Sequence, residues 1–143
     1  MSYPQSPFGH SISCDDILDT LGFFDSWEDR YKYIIDLGKE LPTLPDELYT
    51  EDRLVRGCQS QVWIETWLED GKLQMAVDSD AFIVKGLLGI VLAAYNNKAP
   101  TEVLGFDIDS YFESLDLLKH LSAIRGNGLR AVVARIKEIA AAA

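Results

Sequence analysis

Apolar and polar positions first alternate along this chain in short stripes at helical spacing, each closed by a glycine. Ser13 followed by Asp16 fits a capping box, and Ile17, Leu18 and Leu21 form a stripe that Gly22 closes. Ser26 and Asp29 repeat the start signal, and Trp27, Tyr31, Ile34 and Ile35 share one helical face as far as Gly38. Pro42 and Pro45 turn the next stretch into a loop, with a turn of helix around Asp46 to Tyr49. The pattern then switches to strict alternation. Val62, Ile64, Thr66 and Leu68 lie on one face of a strand, and Trp63 and Trp67 on the other. Asp70-Gly71 offers the positive φ of a tight two-residue hairpin, after which Leu73, Met75 and Val77 alternate on a return strand. A short strand around Arg53 to Arg56 would complete a small antiparallel sheet of about three strands.

Helical spacing returns after the hairpin. Asp78-Ser79-Asp80 reads as the cap of a helix from Ala81 to Tyr95, apolar nearly all round and therefore packed in the core. Gly86 and Gly89 each cost this helix about 1 kcal/mol against alanine, for which close approach to the sheet is the expected compensation. Asn96-Asn97 ends it. Pro100 and Gly105 bracket a short helical piece, Asp107 to Leu118 reads as another, and a last helix begins at about Gly128. That last helix turns Leu129, Val132, Val133, Ile136 and Ile139 inward and Arg130, Arg135 and Lys137 outward. Helices beside one small antiparallel sheet make an α+β fold. No repeat, low-complexity tract or linker divides the sequence, so one domain over residues 1–143 is expected, with the Pro- and Ser-bearing residues 1–12 as a flexible arm.

Composition narrows the partners. The formal net charge of −10 argues against nucleic acid and against an anionic membrane surface, both of which call for clustered Lys and Arg. A basic patch on a protein partner would complement such a chain, although the same charge also serves solubility. The N-terminus has neither the basic start nor the apolar core of a signal peptide. The longest apolar run, Ala81 to Tyr95, carries Lys85 and falls short of the roughly 20 residues a bilayer span needs. Cys14 and Cys58 lie far apart in differently patterned segments, which suits free thiols in a reducing compartment. A cytoplasmic protein is the expectation.

Candidate chemistry concentrates at Cys58, in the run Gly57-Cys58-Gln59-Ser60-Gln61-Val62-Trp63. A glycine before the thiol allows a left-handed turn, so the sulfur can stand on a loop tip at the start of a strand. Such a cysteine is either a nucleophile or carrier thiol, whose reactivity follows its thiolate character, or a small buried hydrophobe. Arg56, two residues away, would favour the thiolate. A cysteine hydrolase would need a base, and only His10 and His120 are available, so a Cys58/His120 dyad is the enzymatic alternative. Two cysteines and two dispersed histidines do not make a metal or cluster site, and no cofactor is expected. Gly126-Asn127-Gly128 lacks the preceding strand of a phosphate-binding loop. Asp78-Ser79-Asp80 and Arg125 have plain structural readings as a cap and a surface ion pair.

Taken together, these segments resemble the SufE family of sulfur acceptors. The resemblance is carried by Gly57 to Trp63, by Asp78-Ser79-Asp80-Ala81 leading into Ile83-Val84-Lys85-Gly86-Leu87, and by Arg125 with Gly128-Leu129. Trp27 to Tyr31 and Leu37 to Pro42 also match, and the whole covers roughly residues 26–140 in order. The resemblance implies a SufE/NifU-like α+β fold and a partner of a pyridoxal-phosphate cysteine desulfurase, of SufS or CsdA type. In that family the cysteine matching Cys58 takes a persulfide sulfur and stimulates the desulfurase, and the sulfur passes on to another acceptor or a scaffold for iron–sulfur cluster assembly. Such a protein is a carrier and activator rather than an enzyme. The resemblance places Gly57, Gln59, Asp80 and Arg125 around the cysteine as partner-binding positions, and it leaves a homodimer open. Pro7-Phe8-Gly9 and Trp27-Glu28-Asp29 look more like the CsdE branch, whereas Gln59-Ser60-Gln61 looks like SufE proper. Ile124 departs from the pattern, standing where a serine often precedes the arginine.

Overall fold

A computed structural model describes residues 6–143 as helices packed on a small antiparallel sheet. Helices α1 (Cys14–Phe23) and α2 (Trp27–Lys39) come first, followed by strands β1 (Val62–Glu69) and β2 (Lys72–Ser79). Helices α3 (Phe82–Tyr95), α4 (Pro100–Gly105), α5 (Ile108–Ser114) and α6 (Ala123–Ala142) complete the chain. The start signals work as the spacing implies. Ser13 and Asp16 form a reciprocal capping box on α1, and the Ser26 hydroxyl accepts the Asp29 amide at the head of α2.

The hairpin turns at Asp70 (φ 54°) and Gly71 (φ 77°), and the register pairs Glu69 with Lys72 and Val62 with Ser79. Positive φ at both turn residues is the twist-matched geometry for a two-residue loop, which explains the Asp-Gly pair. The expected third strand is reduced to a single bridge, Leu54 opposite Trp63, with the Val55 amide donating to the Val62 carbonyl at 2.9 Å. Residues Glu51–Arg53 are wound into a helical turn, so the chain lies alongside β1 for too short a distance to add a ladder. The two faces of the sheet bury different things. Val62, Ile64 and Val77 join the main core, while Trp63 and Trp67 pack with Leu44, Leu48 and Ala76 under the 42–53 segment.

Helix α3 is the centre of the molecule, with eleven of its residues buried. Each large apolar side chain buried there contributes about 1.5–3 kcal/mol. Its glycines are explained by close approach, but to α2 and the N-terminal segment rather than to the sheet. A Cβ on Gly86 would collide with the Ile34 carbonyl, and one on Gly38 would lie 2.8 Å from the Gly86 amide nitrogen. A Cβ on Gly89 would lie 2.6 Å from the Phe8 ring.

That last contact corrects the expectation of a flexible arm over residues 1–12. Phe8 is fully buried, and its carbonyl accepts the Asn96 side-chain amide at 2.9 Å. Asn96 Oδ1 in turn accepts the Met75 amide at 2.8 Å, tying residues 6–12 to the end of α3 and to β2. An aromatic side chain inside a polar, proline-containing stretch was the signal for this anchor. The remainder of the expected arm, residues 1–5, lies outside the described residues.

Two boundaries also move. Helix α6 begins at Ala123, not near Gly128, because Ser122 caps it by accepting the Arg125 amide at 3.2 Å. Helix α3 carries no side-chain cap among the described residues. Its N-cap is Ala81, and Asp80 is engaged elsewhere. Among the described residues no helix is long and apolar enough to cross a membrane.

Candidate functional site

Cys58 stands on a loop whose two ends are pinned and whose tip is not. On the incoming side, the Val55 amide donates to Val62 and the Arg53 guanidinium pairs with Glu65 on β1. On the outgoing side, the Gln61 amide donates to Asp80 Oδ1 at 3.1 Å, and the Asp80 amide donates back to the Gln61 carbonyl at 3.3 Å. Asp80 therefore extends the β1–β2 pairing by one clamp instead of capping α3. Below it, buried Asp78 accepts the Tyr49 hydroxyl at 2.6 Å and pairs with Lys85 Nζ at 3.2 Å. This network fixes the end of β2 against both α3 and the 42–49 segment.

Between these clamps the tip runs from Arg56 to Ser60. Gly57 adopts φ +92°, as its sequence position suggested, and a Cβ there would press on Ala131 of α6 at 3.2 Å. The turn points the Cys58 side chain toward α6, where the thiol donates to the Gly128 carbonyl at 3.4 Å. The approach does not depend on the glycine, since an added Cβ at Gly128 would lie 3.7 Å from Sγ, an ordinary contact. The thiol is half-buried, and burial pushes it up from its ordinary value, holding it protonated. Arg56 does not offset this. The turn at Gly57 carries it into a separate groove, lined also by Glu51, Asp52 and Glu138.

Sγ forms part of the wall of a cavity of about 300 Å³. Val62, Leu87, Leu88, Leu129 and Val132 give it an apolar floor, and Gln59, Ser60, Ser122 and Arg125 give it a polar rim. The structure thus brings Cys58, Gln59 and Arg125 to one place, with Gly57 shaping the turn and Asp80 holding the loop from outside the cavity. The aliphatic wall and the Gly128 carbonyl were not legible as site residues in the sequence. The glycines at 126 and 128 do not mark the approach either: an added Cβ would meet nothing within 4 Å at Gly126 and only ordinary contact with Cys58 at Gly128.

The other candidate groups are occupied elsewhere. The His120 ring stacks on Trp27 at 4.1 Å between centroids, and its Nε2 lies 3.4 Å from Asp116. It does not line the Cys58 cavity, and among the described residues the thiol bonds to Gly128 alone. Cys14 is half-buried on α1, its thiol pushed up first by burial, with the buried Tyr111 hydroxyl bonding it and lowering it in part. Among the described residues no group of three or more His, Cys, Asp and Glu is arranged to hold a metal ion.

Comparison with known proteins shows what the chain is similar to. The family described as SufE, an Fe-S metabolism associated domain, matches residues 15–140. An uncharacterized SufE-like protein of Rhizobium meliloti is 45% identical over 129 residues, covering 87% of this chain and 92% of its own. A SufE-like protein of Rhizobium etli, also uncharacterized, is 46% identical over 130 residues, covering 88% of each. In fold, the chain superposes with a TM-score of 0.73 on the solution structure of a hypothetical protein from Thermus thermophilus. That match covers 97% of both chains at 18% identity.

Proposed function

This chain belongs to the SufE family of domains associated with Fe-S metabolism, and on that premise we propose that it is a sulfur acceptor for a pyridoxal-phosphate cysteine desulfurase. Cys58 takes the sulfur, and Gly57, Gln59, Asp80 and Arg125 form the surface the desulfurase meets. The acceptor lacks a turnover of its own. Relieving the desulfurase of its persulfide stimulates that enzyme, and the sulfur moves on to a further acceptor or a cluster scaffold. The reading covers residues 1–143 as one domain acting in the cytoplasm.

One observation carries this reading: a thiol on a weakly tied loop tip between two firmly pinned ends. Its hydrogen-bond tether is the Sγ–Gly128 contact, weak because a thiol is a weak donor, so the tip can leave the cavity while the clamps at Val55 and Gln61 hold. In the cavity, burial keeps the thiol neutral and so slower to oxidise than a thiolate. Outside it, water returns the thiol to its ordinary range and supplies thiolate. That thiolate attacks the outer sulfur of the donor's cysteine persulfide. The new S–S bond forms at Cys58, the donor S–S bond breaks, and the donor leaves as a thiolate. No general base is required, in keeping with a His120 engaged by Trp27 and Asp116.

The test is sulfide release by a purified desulfurase with cysteine and a reductant, with and without this protein. Stimulation should vanish with Cys58→Ser and survive in Cys14→Ser and His120→Ala. Loss of stimulation in His120→Ala by orders of magnitude, with circular dichroism unchanged, would favour a Cys58/His120 enzyme instead. Asp80→Asn keeps the hydrogen-bonding shape without the charge, so reduced stimulation there would mark Asp80 as a recognition residue.

A further inference from the structure

The Cys58 cavity offers more than a resting place for the thiol. Arg30, Arg53, Arg130 and Arg135 are each engaged by a carbonyl or a carboxylate. Arg56 and Arg125 have no such partner among the described residues, in a chain whose net charge is −10, and of these two only Arg125 lines the Cys58 cavity. It sits in the first turn of the 20-residue helix α6, where the helix end favours negative charge in the same sense. The same cavity is lined by Cys58 and by the apolar side chains of its floor. A guanidinium, an apolar wall and a sulfur nucleophile lining one small cavity match a short molecule with an acid at one end and a thiol at the other. At about 300 Å³ the space is at the small end of ligand sites, too small for a folded segment of another protein.

We propose that this cavity admits a low-molecular-weight thiol bearing a carboxylate, held by Arg125, as an acceptor of the sulfur carried on Cys58. The proposal rests on the reading of Cys58 as a sulfur carrier. The bound thiolate attacks the outer sulfur of the Cys58 persulfide. A new S–S bond forms on the small molecule, the bond to Cys58 Sγ breaks, and its electron pair stays on the Cys58 thiolate, which takes a proton from water. The hydrogen of the outer sulfur travels with it, so the small thiol leaves as a persulfide and no oxidant or reductant is consumed. The acceptor thus gains a route for discharging sulfur that needs no second protein.

The experiment uses Cys14→Ser protein loaded at Cys58 with inorganic polysulfide, so that no desulfurase is involved. Discharge is followed by intact mass with 3-mercaptopropionate, 2-mercaptoethanol and cysteamine, which are anionic, neutral and cationic. Rates are normalised to thiolate concentration and to discharge of a free persulfide in solution. An exposed guanidinium–carboxylate contact is worth up to about fivefold, so 3-mercaptopropionate should exceed cysteamine by about that factor. Arg125→Gln should remove the preference and Arg125→Lys should retain part of it. Butanoate, which has the acid but no thiol, should slow alkylation of unloaded Cys58 by iodoacetamide in the parent. Equal normalised rates for the three thiols in the parent, or a preference unchanged in Arg125→Gln, would overturn the proposal. Should a desulfurase fail to load Cys58 while the anionic preference holds, the sulfur-acceptor reading fails and the anionic-thiol site stands.

Discussion

Replacing Gly57 with alanine should make Cys58 more reactive, not less. The residue holds φ +92°, where an L side chain costs about 1–2 kcal/mol, and the new methyl would press on Ala131 at 3.2 Å. The strain falls on the resting position of the tip. Both loop ends are clamped, and the tip is held by one thiol–carbonyl hydrogen bond and by the packing of half-buried Cys58 on the core, so the cheapest relief is for Cys58 to Ser60 to leave the cavity. A bias of about 1–2 kcal/mol multiplies the open population about 5- to 30-fold. Opening also frees the thiol from the burial that raises its pKa, which adds to the gain. The assay is pseudo-first-order alkylation by iodoacetamide at pH 8 in a Cys14→Ser background, with thermal unfolding measured in parallel. The expected result is alkylation faster by about 5- to 30-fold, with a small loss of thermal stability. An unchanged or slower rate in a folded protein would refute the reasoning that the Gly57 turn is what parks Cys58 against α6.

Other expectations concern the frame that presents this loop. Gly86→Ala forces its methyl into the Ile34 carbonyl, which cannot move aside as a side chain would. Overpacking of about 1–3 kcal/mol should therefore outweigh a helix-propensity gain of about 1 kcal/mol. Gly126→Ala meets nothing within 4 Å and should stabilise α6, so chemical denaturation midpoints shifting in opposite directions check both. Phe8→Ala should cost about 3–5 kcal/mol by the same measurement, since the ring is fully buried over Gly89. Cys14, Cys58, Tyr33, Tyr49, Tyr95 and Tyr111 are all held protonated above their ordinary values, chiefly by burial, with Tyr95 pushed up to about 12. In alkali the folded chain then binds more protons than the unfolded one. Stability should be intact below about pH 9 and fall from there toward about pH 12, as unfolding followed across that range would reveal.

Much of the fold could be read from local signals, because the strongest of them act over a few residues. The capping serines of α1 and α2, the Asp-Gly turn and the alternation of β1 and β2 each state their own geometry. The position of Cys58 on a loop was legible for the same reason, with its glycine on one side and its strand on the other. What the sequence hid depends on contacts between distant segments. Phe8 gave no periodic pattern, yet it meets Gly89 and Asn96 across the molecule. Asp80 looked like a helix cap, and only the pairing of β1 with β2 brings Gln61 near enough to claim it. Arg56 is two residues from the cysteine in sequence but lines another groove, whereas Arg125 is remote and lines the cavity. The Gly128 carbonyl, as a backbone atom, carries no signature in residue type.

The most direct test of the central claim is intact mass after incubation with a pyridoxal-phosphate cysteine desulfurase and cysteine, followed by peptide mapping of the added sulfur. The sulfur-acceptor account expects one additional sulfur on the parent and on Cys14→Ser, located on the peptide containing Cys58, and none on Cys58→Ser. Sulfur added equally to Cys58→Ser, or found on Cys14 in the parent, would contradict it.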